Sequence, residues 1–192
     1  MMTTFLGTLA LVSLCLLTMS STAGAADGNP IVIMETSAGN ITIELDPKSA
    51  PITVENFLKY VDEGFYDNLI FHRVIPGFMV QGGGFDDKMS EKGKQRGGIK
   101  NEGLNGLLNK RGTLAMARTP NPDSATAQFF VNLKDNDFLD GKPGKPGYAV
   151  FAKVIDGMDA VDTMAKAPTA TKGPHGDVPV KPIYLKSIKR KP

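Results

Sequence analysis

Residues 71–83 read FHRVIPGFMVQGG, and the rest of the chain can be interpreted outward from this stretch. Two runs of β-favouring residues flank a Pro-Gly turn, a pattern that predicts a β-hairpin. Arg73 and Gln81 lie inside these apolar runs, although polar groups are costly to bury without partners. Either these two side chains have hydrogen-bond partners within the fold and a structural role, or the hairpin presents them as a functional site.

The register of the hairpin decides where the two polar side chains lie. A three-residue loop over 76–78 would pair Arg73 with Gln81 and put both on one face of the sheet. A two-residue loop would place Arg73 beside Val80, because a one-residue slip exchanges the faces. The sequence alone allows both registers, but only the three-residue loop keeps Arg73 and Gln81 together. Strand alternation would turn His72 to the opposite face, so we interpret it as a buried structural histidine.

The remaining segments predict seven or eight strands and two helices in one domain. A helix begins near Pro51, where Ser49 can serve as its N-cap, and it ends at Gly64. The GGG run at 82–84 indicates a tight turn or bulge, and residues 83–112 and 168–181 are predicted as loops. The other strands are predicted at 31–36, 41–45, 112–117, 128–133, 148–154 and 182–190, and a second helix at 156–167. This content favours a closed β-barrel with helices covering its ends.

The N-terminus has the composition of a secretory signal peptide. Residues 1–25 carry no charged side chain, are mostly apolar and end in Ala23-Gly24-Ala25. We therefore expect a signal at 1–25 and one domain at 26–192, located in the periplasm or secreted. The apolar run is too short to span a membrane well, so no stable membrane insertion is expected after cleavage. Cys15 is the only cysteine, so the mature chain can form no disulfide.

Composition argues against several function classes. The net charge is +2, and the basic clusters at 92–96 and 186–191 lack interleaved aromatic residues, so we expect no nucleic-acid partner. His72 and His175 are the only histidines, which excludes a convincing Ser-His-Asp set. His175 with Asp177 provides too few ligands for a metal site, and no cofactor is implied.

An apolar surface with one arginine suits a reaction that needs no acid, base or nucleophile. Rotation about an X-Pro peptide bond is such a reaction, with a barrier of ~18–20 kcal/mol that arises from amide resonance. In the twisted state the proline nitrogen gains lone-pair character. A guanidinium beside it would stabilise that state more than the planar one, and only such differential binding accelerates a step.

The motifs resemble the cyclophilin family of peptidyl-prolyl cis-trans isomerases, most of all its periplasmic bacterial members. The resemblance covers residues 30–190 and rests on FHRVIPGFMVQGG, GTLAMARTP, SATAQFFVNL and FLDGK…YAVFAKV. It implies a mainly β fold, a closed eight-stranded antiparallel β-barrel capped by two α-helices. It also implies a monomer whose partners are proline-containing segments of unfolded or partly folded exported proteins.

The resemblance assigns site residues motif by motif. Arg73 matches the catalytic arginine, and Gln81 matches the glutamine that binds the substrate backbone. The other substrate-binding positions implied are Phe78, Met79, Ala117, Arg118, Gln128, Phe130, Phe138, Leu139 and Tyr148.

Three of these positions depart from the usual family pattern. Phe138 replaces the tryptophan of many eukaryotic members, which implies weak cyclosporin binding. Tyr148 replaces a common histidine. Arg118 replaces the usual asparagine, where contacts run largely through the backbone, so modest effects on sequence preference are expected.

Two other classes of function remain open at this point. A non-catalytic barrel that holds proline-rich ligands would keep the pocket but would not need Arg73. A lipocalin-type barrel would have an open apolar interior, whereas four bulky candidates for inward positions predict a filled one. These are Leu114, Met116, Phe129 and Phe151.

Overall fold

A computed structural model of the protein describes residues 28–93 and 96–192. The predicted signal at 1–25 lies outside these residues. Across the described ranges, no helix combines the length and the apolar character that crossing a membrane requires.

Eight strands close into an antiparallel barrel. Around the barrel they follow the order β1-β10-β3-β4-β6-β5-β7-β2, and β8 and β9 form a separate two-stranded sheet. The strands are β1 (Ile31–Thr36), β2 (Gly39–Leu45), β3 (Leu69–Ile75), β4 (Met79–Phe85), β5 (Thr113–Met116), β6 (Phe129–Asn132), β7 (Val150–Asp156), β8 (Thr169–Lys172), β9 (His175–Pro179) and β10 (Tyr184–Arg190). The predicted barrel is confirmed.

The barrel interior is filled by packed side chains. The four predicted inward residues are fully or almost fully buried in one core cluster, namely Leu114, Met116, Phe129 and Phe151. The Phe129 ring meets the ring of Phe57 edge-on, with centroids 5.8 Å apart. This interior is that of a solid core, which argues against the lipocalin-type alternative.

Helix α1 (Pro51–Asp62) packs one apolar face on this core. The predicted Ser49 cap is wrong, because the Ser49 hydroxyl donates instead to Asp46 Oδ2 at 2.9 Å. The N–H groups of the first turn, which have no acceptor within the helix, donate to a side chain about 50 residues further along the chain. Glu102 accepts from the N–H of Ile52 at 3.1 Å and from that of Thr53 at 2.8 Å. This contact ties the helix to the long loop between β4 and β5.

Helix α2 (Met158–Ala165) follows β7 and buries Val161 and Met164, as predicted. Its bounds lie inside the predicted range of 156–167. Strands β5 and β6 are likewise shorter than predicted, and β4 runs on to Phe85.

The β3–β4 hairpin has the register that keeps the two polar residues together. Ile75 pairs with Met79 and Arg73 pairs with Gln81, so the loop is the three residues 76–78. The Phe78 N–H donates to the Ile75 carbonyl at 3.0 Å and closes the turn.

The glycine run forms a bulge, as predicted. Phe71 pairs with Gly82 while Ile70 pairs with Phe85, so two extra residues lie in β4. Gly83 has a φ of +86°, and a Cβ there would lie 3.1 Å from the Ala127 carbonyl oxygen. Glycine is required at this position because the backbone is left-handed and the neighbouring strand is close.

The prediction of a loop at 168–181 is partly wrong. Residues 169–179 form the β8–β9 hairpin, which packs against β3 outside the barrel. Every residue of β8 is exposed, and its four residues, TATK, have no apolar alternation that would reveal a strand.

Candidate active site

A cavity of about 240 Å³ opens on the outer wall of the barrel, where β3, β4 and β6 lie side by side. Nine of the eleven predicted site residues line it. They are Arg73, Phe78, Met79, Gln81, Ala117, Arg118, Phe130, Leu139 and Tyr148. The two exceptions, Gln128 and Phe138, lie just outside it.

The floor of the cavity is a small apolar cluster separate from the barrel core. Met79, Phe130 and Leu139 are each at least 90% buried and pack together. Phe130 faces outward because its strand neighbour Phe129 fills the interior, as alternation requires. One strand therefore supplies both a core anchor and the pocket floor.

Phe78 is held at the turn by a buried amide network. Its carbonyl oxygen accepts from Leu133 N–H and from Asn136 Nδ2, both at 3.0 Å. Asn136 Nδ2 also donates to Asn132 Oδ1 at 2.8 Å, and both asparagines are fully buried. The turn is thus fixed from behind, and sequence reasoning missed these two asparagines.

Arg73 and Gln81 lie opposite each other on β3 and β4. Gln81 Nε2 donates to Gln128 Oε1 at 3.0 Å, so Gln128 orients the Gln81 amide instead of lining the cavity. Ala117 lines the cavity, and its N–H donates to the Gln128 carbonyl at 2.9 Å. Gln128 therefore contacts two lining residues from behind.

The Arg73 guanidinium is half-exposed. Its Nε lies 3.4 Å from Asp177 Oδ2, in the β8–β9 hairpin. Sequence reasoning did not link residue 177 to residue 73, because the hairpin that carries Asp177 was predicted as a loop.

Phe138 lies at the rim. Its side chain is 62% exposed, and its ring stacks on Phe78 with centroids 5.5 Å apart. The position is next to the cavity but contributes no wall to it.

Arg118 and Tyr148 form one wall together. The Arg118 guanidinium lies over the Tyr148 ring at 4.5 Å from its centroid, within the range of a cation–π interaction. Arg118 Nη2 also donates to the Pro146 carbonyl at 3.0 Å. Arg118 thus lines the cavity beside Tyr148. The resemblance implied that substrate contacts at this position run largely through the backbone, and this stays a prediction.

His72 is buried, but it does not lie on the face opposite Arg73. Both residues line a second cavity of about 520 Å³ beside the first, because a register shift between Phe71 and Arg73 interrupts the strand alternation. Burial lowers the pKa of His72 to about 4, and the charges of His175 and Arg73 add to the effect. His72 is therefore neutral near pH 7, and its Nδ1 has no hydrogen-bond partner among the residues that the structure describes.

The arrangement suits binding of an apolar ring next to a cation. Arg73 provides a fixed positive charge at the edge of an apolar floor. Within residues 28–93 and 96–192, no group of three or more His, Cys, Asp or Glu side chains is placed to hold a metal ion.

Comparison with known proteins places the chain in a family. Residues 31–190 match the family described as cyclophilin type peptidyl-prolyl cis-trans isomerase/CLD. The chain belongs to this family of isomerases, as its sequence motifs implied.

Three similar curated proteins come from bacteria. A peptidyl-prolyl cis-trans isomerase of Acinetobacter baylyi is 56% identical over 163 residues, which cover 85% of this chain and 86% of that protein. Peptidyl-prolyl cis-trans isomerase A of Dickeya dadantii is 51% identical and is covered over 94% of both chains. Isomerase B of Escherichia coli K12 is 53% identical, with coverage of 82% and 98%.

Solved structures agree on the fold. A cyclophilin-type isomerase of Cryptosporidium parvum has a TM-score of 0.70 at 27% identity, covering 85% of this chain and 98% of that chain. A second structure of that protein, determined in the presence of the dipeptide Ala-Pro, has a TM-score of 0.69 at 28% identity and covers 84% of this chain and 99% of that chain.

Proposed function

We propose that this isomerase accelerates rotation about X-Pro bonds in unfolded exported proteins, and that Arg73 is its catalytic residue. The observation that carries the proposal is the Arg73 guanidinium at the edge of an apolar cavity floored by Met79 and Phe130. The proline ring of a substrate binds on this floor. The guanidinium then stabilises the lone pair that the proline nitrogen gains in the twisted state.

The energetics require no proton transfer or covalent step. Uncatalysed rotation takes tens to hundreds of seconds, and removing ~7 kcal/mol from the barrier would give about five decades of rate. A preorganised charge beside the reacting atom stabilises the charge that develops in the transition state. Arg73 is such a charge, because arginine stays protonated throughout the physiological range.

The remaining lining residues bind the peptide without reacting. Gln81, held in place by Gln128, binds the substrate backbone, and Ala117 contacts it at the end of β5. Arg118 and Tyr148 form the side wall. We propose that the protein acts as a monomer on single proline-containing segments. A small bound group is supported by the Cryptosporidium parvum relative, whose structure was determined in the presence of the dipeptide Ala-Pro.

Exchange spectroscopy on an Ala-Pro peptide tests this assignment. We expect Arg73→Ala to lower the isomerisation rate at least tenfold while peptide binding is retained. Lys100→Ala is a matched control, because Lys100 is an exposed cation that pairs with Asp123 outside the cavity. An unchanged rate in Arg73→Ala would refute the catalytic role of Arg73.

We also propose that the domain at 26–192 acts in the periplasm or outside the cell. The support is the charge-free apolar segment at 1–25 and its Ala23-Gly24-Ala25 end. Expression of the full chain in a Gram-negative host, with mass spectrometry of the fractions, tests this. A processed chain that begins at Ala26 in the periplasmic fraction is expected, and an unprocessed cytoplasmic chain would contradict it.

A further inference from the structure

The β8–β9 hairpin lies outside the barrel and contacts Arg73 through Asp177. Val178 is buried beneath it, and the His175 ring meets Phe85 edge-on with centroids 5.1 Å apart. Lys172 Nζ donates to the Asp87 carbonyl at 3.0 Å and fixes the other strand. The hairpin is therefore anchored on the barrel on both strands.

Asp177 is the residue through which this hairpin contacts Arg73. Its Oδ2 accepts from Arg73 Nε at 3.4 Å. Among the residues that the structure describes, no other carboxylate is within ion-pair distance of Arg73. The contact uses the Nε edge of the guanidinium, so neither terminal Nη group is occupied by the carboxylate.

The backbone at Asp177 is unusual. Its φ is +59°, in the left-handed region that few residues other than glycine adopt, although Asp and Asn tolerate it. A conformation of this kind persists only where the surrounding structure imposes it, and such positions cluster at functional sites. Here it occurs at the residue that contacts the arginine of the pocket.

We propose that Asp177 is a positioning residue for Arg73, an inference that rests on the proposed isomerase function. Arginine has a long side chain, and ordering it in each transition state costs conformational entropy. A carboxylate on the Nε edge orders the guanidinium before substrate arrives and directs its Nη groups toward the pocket. Asp177 does not touch the substrate, so its effect is on the rate constant and not on binding.

Two substitutions separate this role from a structural one. Asp177→Gly removes the carboxylate but fits the left-handed backbone, and Asp177→Asn keeps both the shape and an oxygen acceptor. For Asp177→Gly we expect kcat to fall by about three- to tenfold with KM within about twofold, the pattern of an interaction made only in the transition state. Asp177→Asn should restore most of the activity. Asp87→Asn is a matched control, since it removes an exposed carboxylate beside the same hairpin and should leave kcat within about twofold.

A double-mutant cycle shows whether the effect passes through Arg73. In an Arg73→Ala background, Asp177→Gly should change the rate by less than about twofold, because residues that act as a unit are not additive. The Nε–Hε NMR signal of Arg73, assigned by its loss in Arg73→Ala, should broaden or shift in Asp177→Gly and not in Asp87→Asn.

Three results would overturn the proposal. The first is an unchanged kcat in Asp177→Gly. The second is an equal loss of rate on Asp177→Gly in the wild type and in the Arg73→Ala background. The third is an unaltered Nε–Hε signal of Arg73 in Asp177→Gly. Failure of the proposed function would give a different result, because the single substitution Arg73→Ala would then leave the isomerisation rate unchanged.

Discussion

Phe130 and Phe138 are two aromatic residues of the same site with different surroundings. Phe130 is buried in the pocket floor, whereas Phe138 is exposed at the rim and stacks on Phe78. A change at Phe138 can therefore alter ligand binding without disturbing the core.

This difference predicts the response to cyclosporin. Phe138→Trp adds an indole N–H donor that phenylalanine lacks. We expect it to raise cyclosporin affinity by about five- to tenfold, the contribution of one added hydrogen bond. Titration calorimetry measures this change, and Phe138→Leu serves as the control without a donor. Equal affinities for the tryptophan and leucine variants would contradict the explanation.

The rate of isomerisation should not depend on pH across the physiological range. Arginine side chains stay charged across this range, and the pKa of His72, which precedes Arg73 in the chain, is lowered to about 4. We expect a flat profile of kcat/KM from about pH 6 to 9 in a peptide isomerisation assay. A bell-shaped profile of the catalytic step would indicate acid–base chemistry and would rule out the proposed mechanism.

Stability, in contrast, should depend on pH through His72. Its folded pKa of about 4 lies below the unfolded value of 6.5, so the unfolded chain binds a proton first. The contribution of neutral His72 to the stability of the folded chain is fully present above pH 6.5, and it is lost as the pH falls toward 4. We expect the free energy of unfolding to be about 2 kcal/mol lower at pH 5 than at pH 8. Urea unfolding of the wild type and of His72→Gln checks this, since the variant should lack that part of the pH dependence.

At the scale of elements, the turn of the β3–β4 hairpin determines where Arg73 lies. Gly77 has a φ of +68°, and a Cβ there would meet no atom within 4 Å. A substitution at Gly77 therefore strains the backbone without creating a clash. The three-residue turn that this glycine permits pairs Arg73 with Gln81.

Gly77→Ala should consequently destabilise the protein by about 1–2 kcal/mol. Gly77→Asn should cost less, because asparagine tolerates the left-handed region better. Denaturant unfolding at constant pH gives both values. If alanine and asparagine were equally harmless, the positive φ would not be required in solution.

The sequence was sufficient to predict the elements that have a strong local pattern. The β3–β4 strands, the apolar face of α1 and the glycine bulge each follow from residues that are close in sequence. The Glu102 cap of α1 and the Asp177 contact with Arg73 join residues about 50 and 104 positions apart. Such contacts depend on the closed fold, and exposed strand β8 has no periodicity that would have indicated the hairpin carrying Asp177.

At the scale of the whole molecule, the barrel wall separates the residues of the interior core from those that line the pocket. Phe129 and Phe130 are adjacent in β6, and they belong to the interior core and to the pocket cluster respectively. The two residues are the same chemically and differ in which side of the wall they face.

This pair gives a matched test. We expect Phe129→Ala to lower the free energy of unfolding by about 3–5 kcal/mol, as other large-to-small core changes do. Phe130→Ala should destabilise less, because its neighbourhood opens to solvent, and it should lower kcat/KM further than Phe129→Ala does. Denaturant unfolding and the peptide assay on both variants measure this. A reversed order would show that the pocket floor is part of the main core.

The closed barrel also affects how this protein can meet unfolded chains. Each of its eight strands has a hydrogen-bonded neighbour on both sides, so the barrel offers no free sheet edge on which another chain could add a strand. The exposed strand β8, outside the barrel, has only four residues and carries Lys172. An isomerase built this way can contact aggregation-prone segments repeatedly without becoming a template for their assembly.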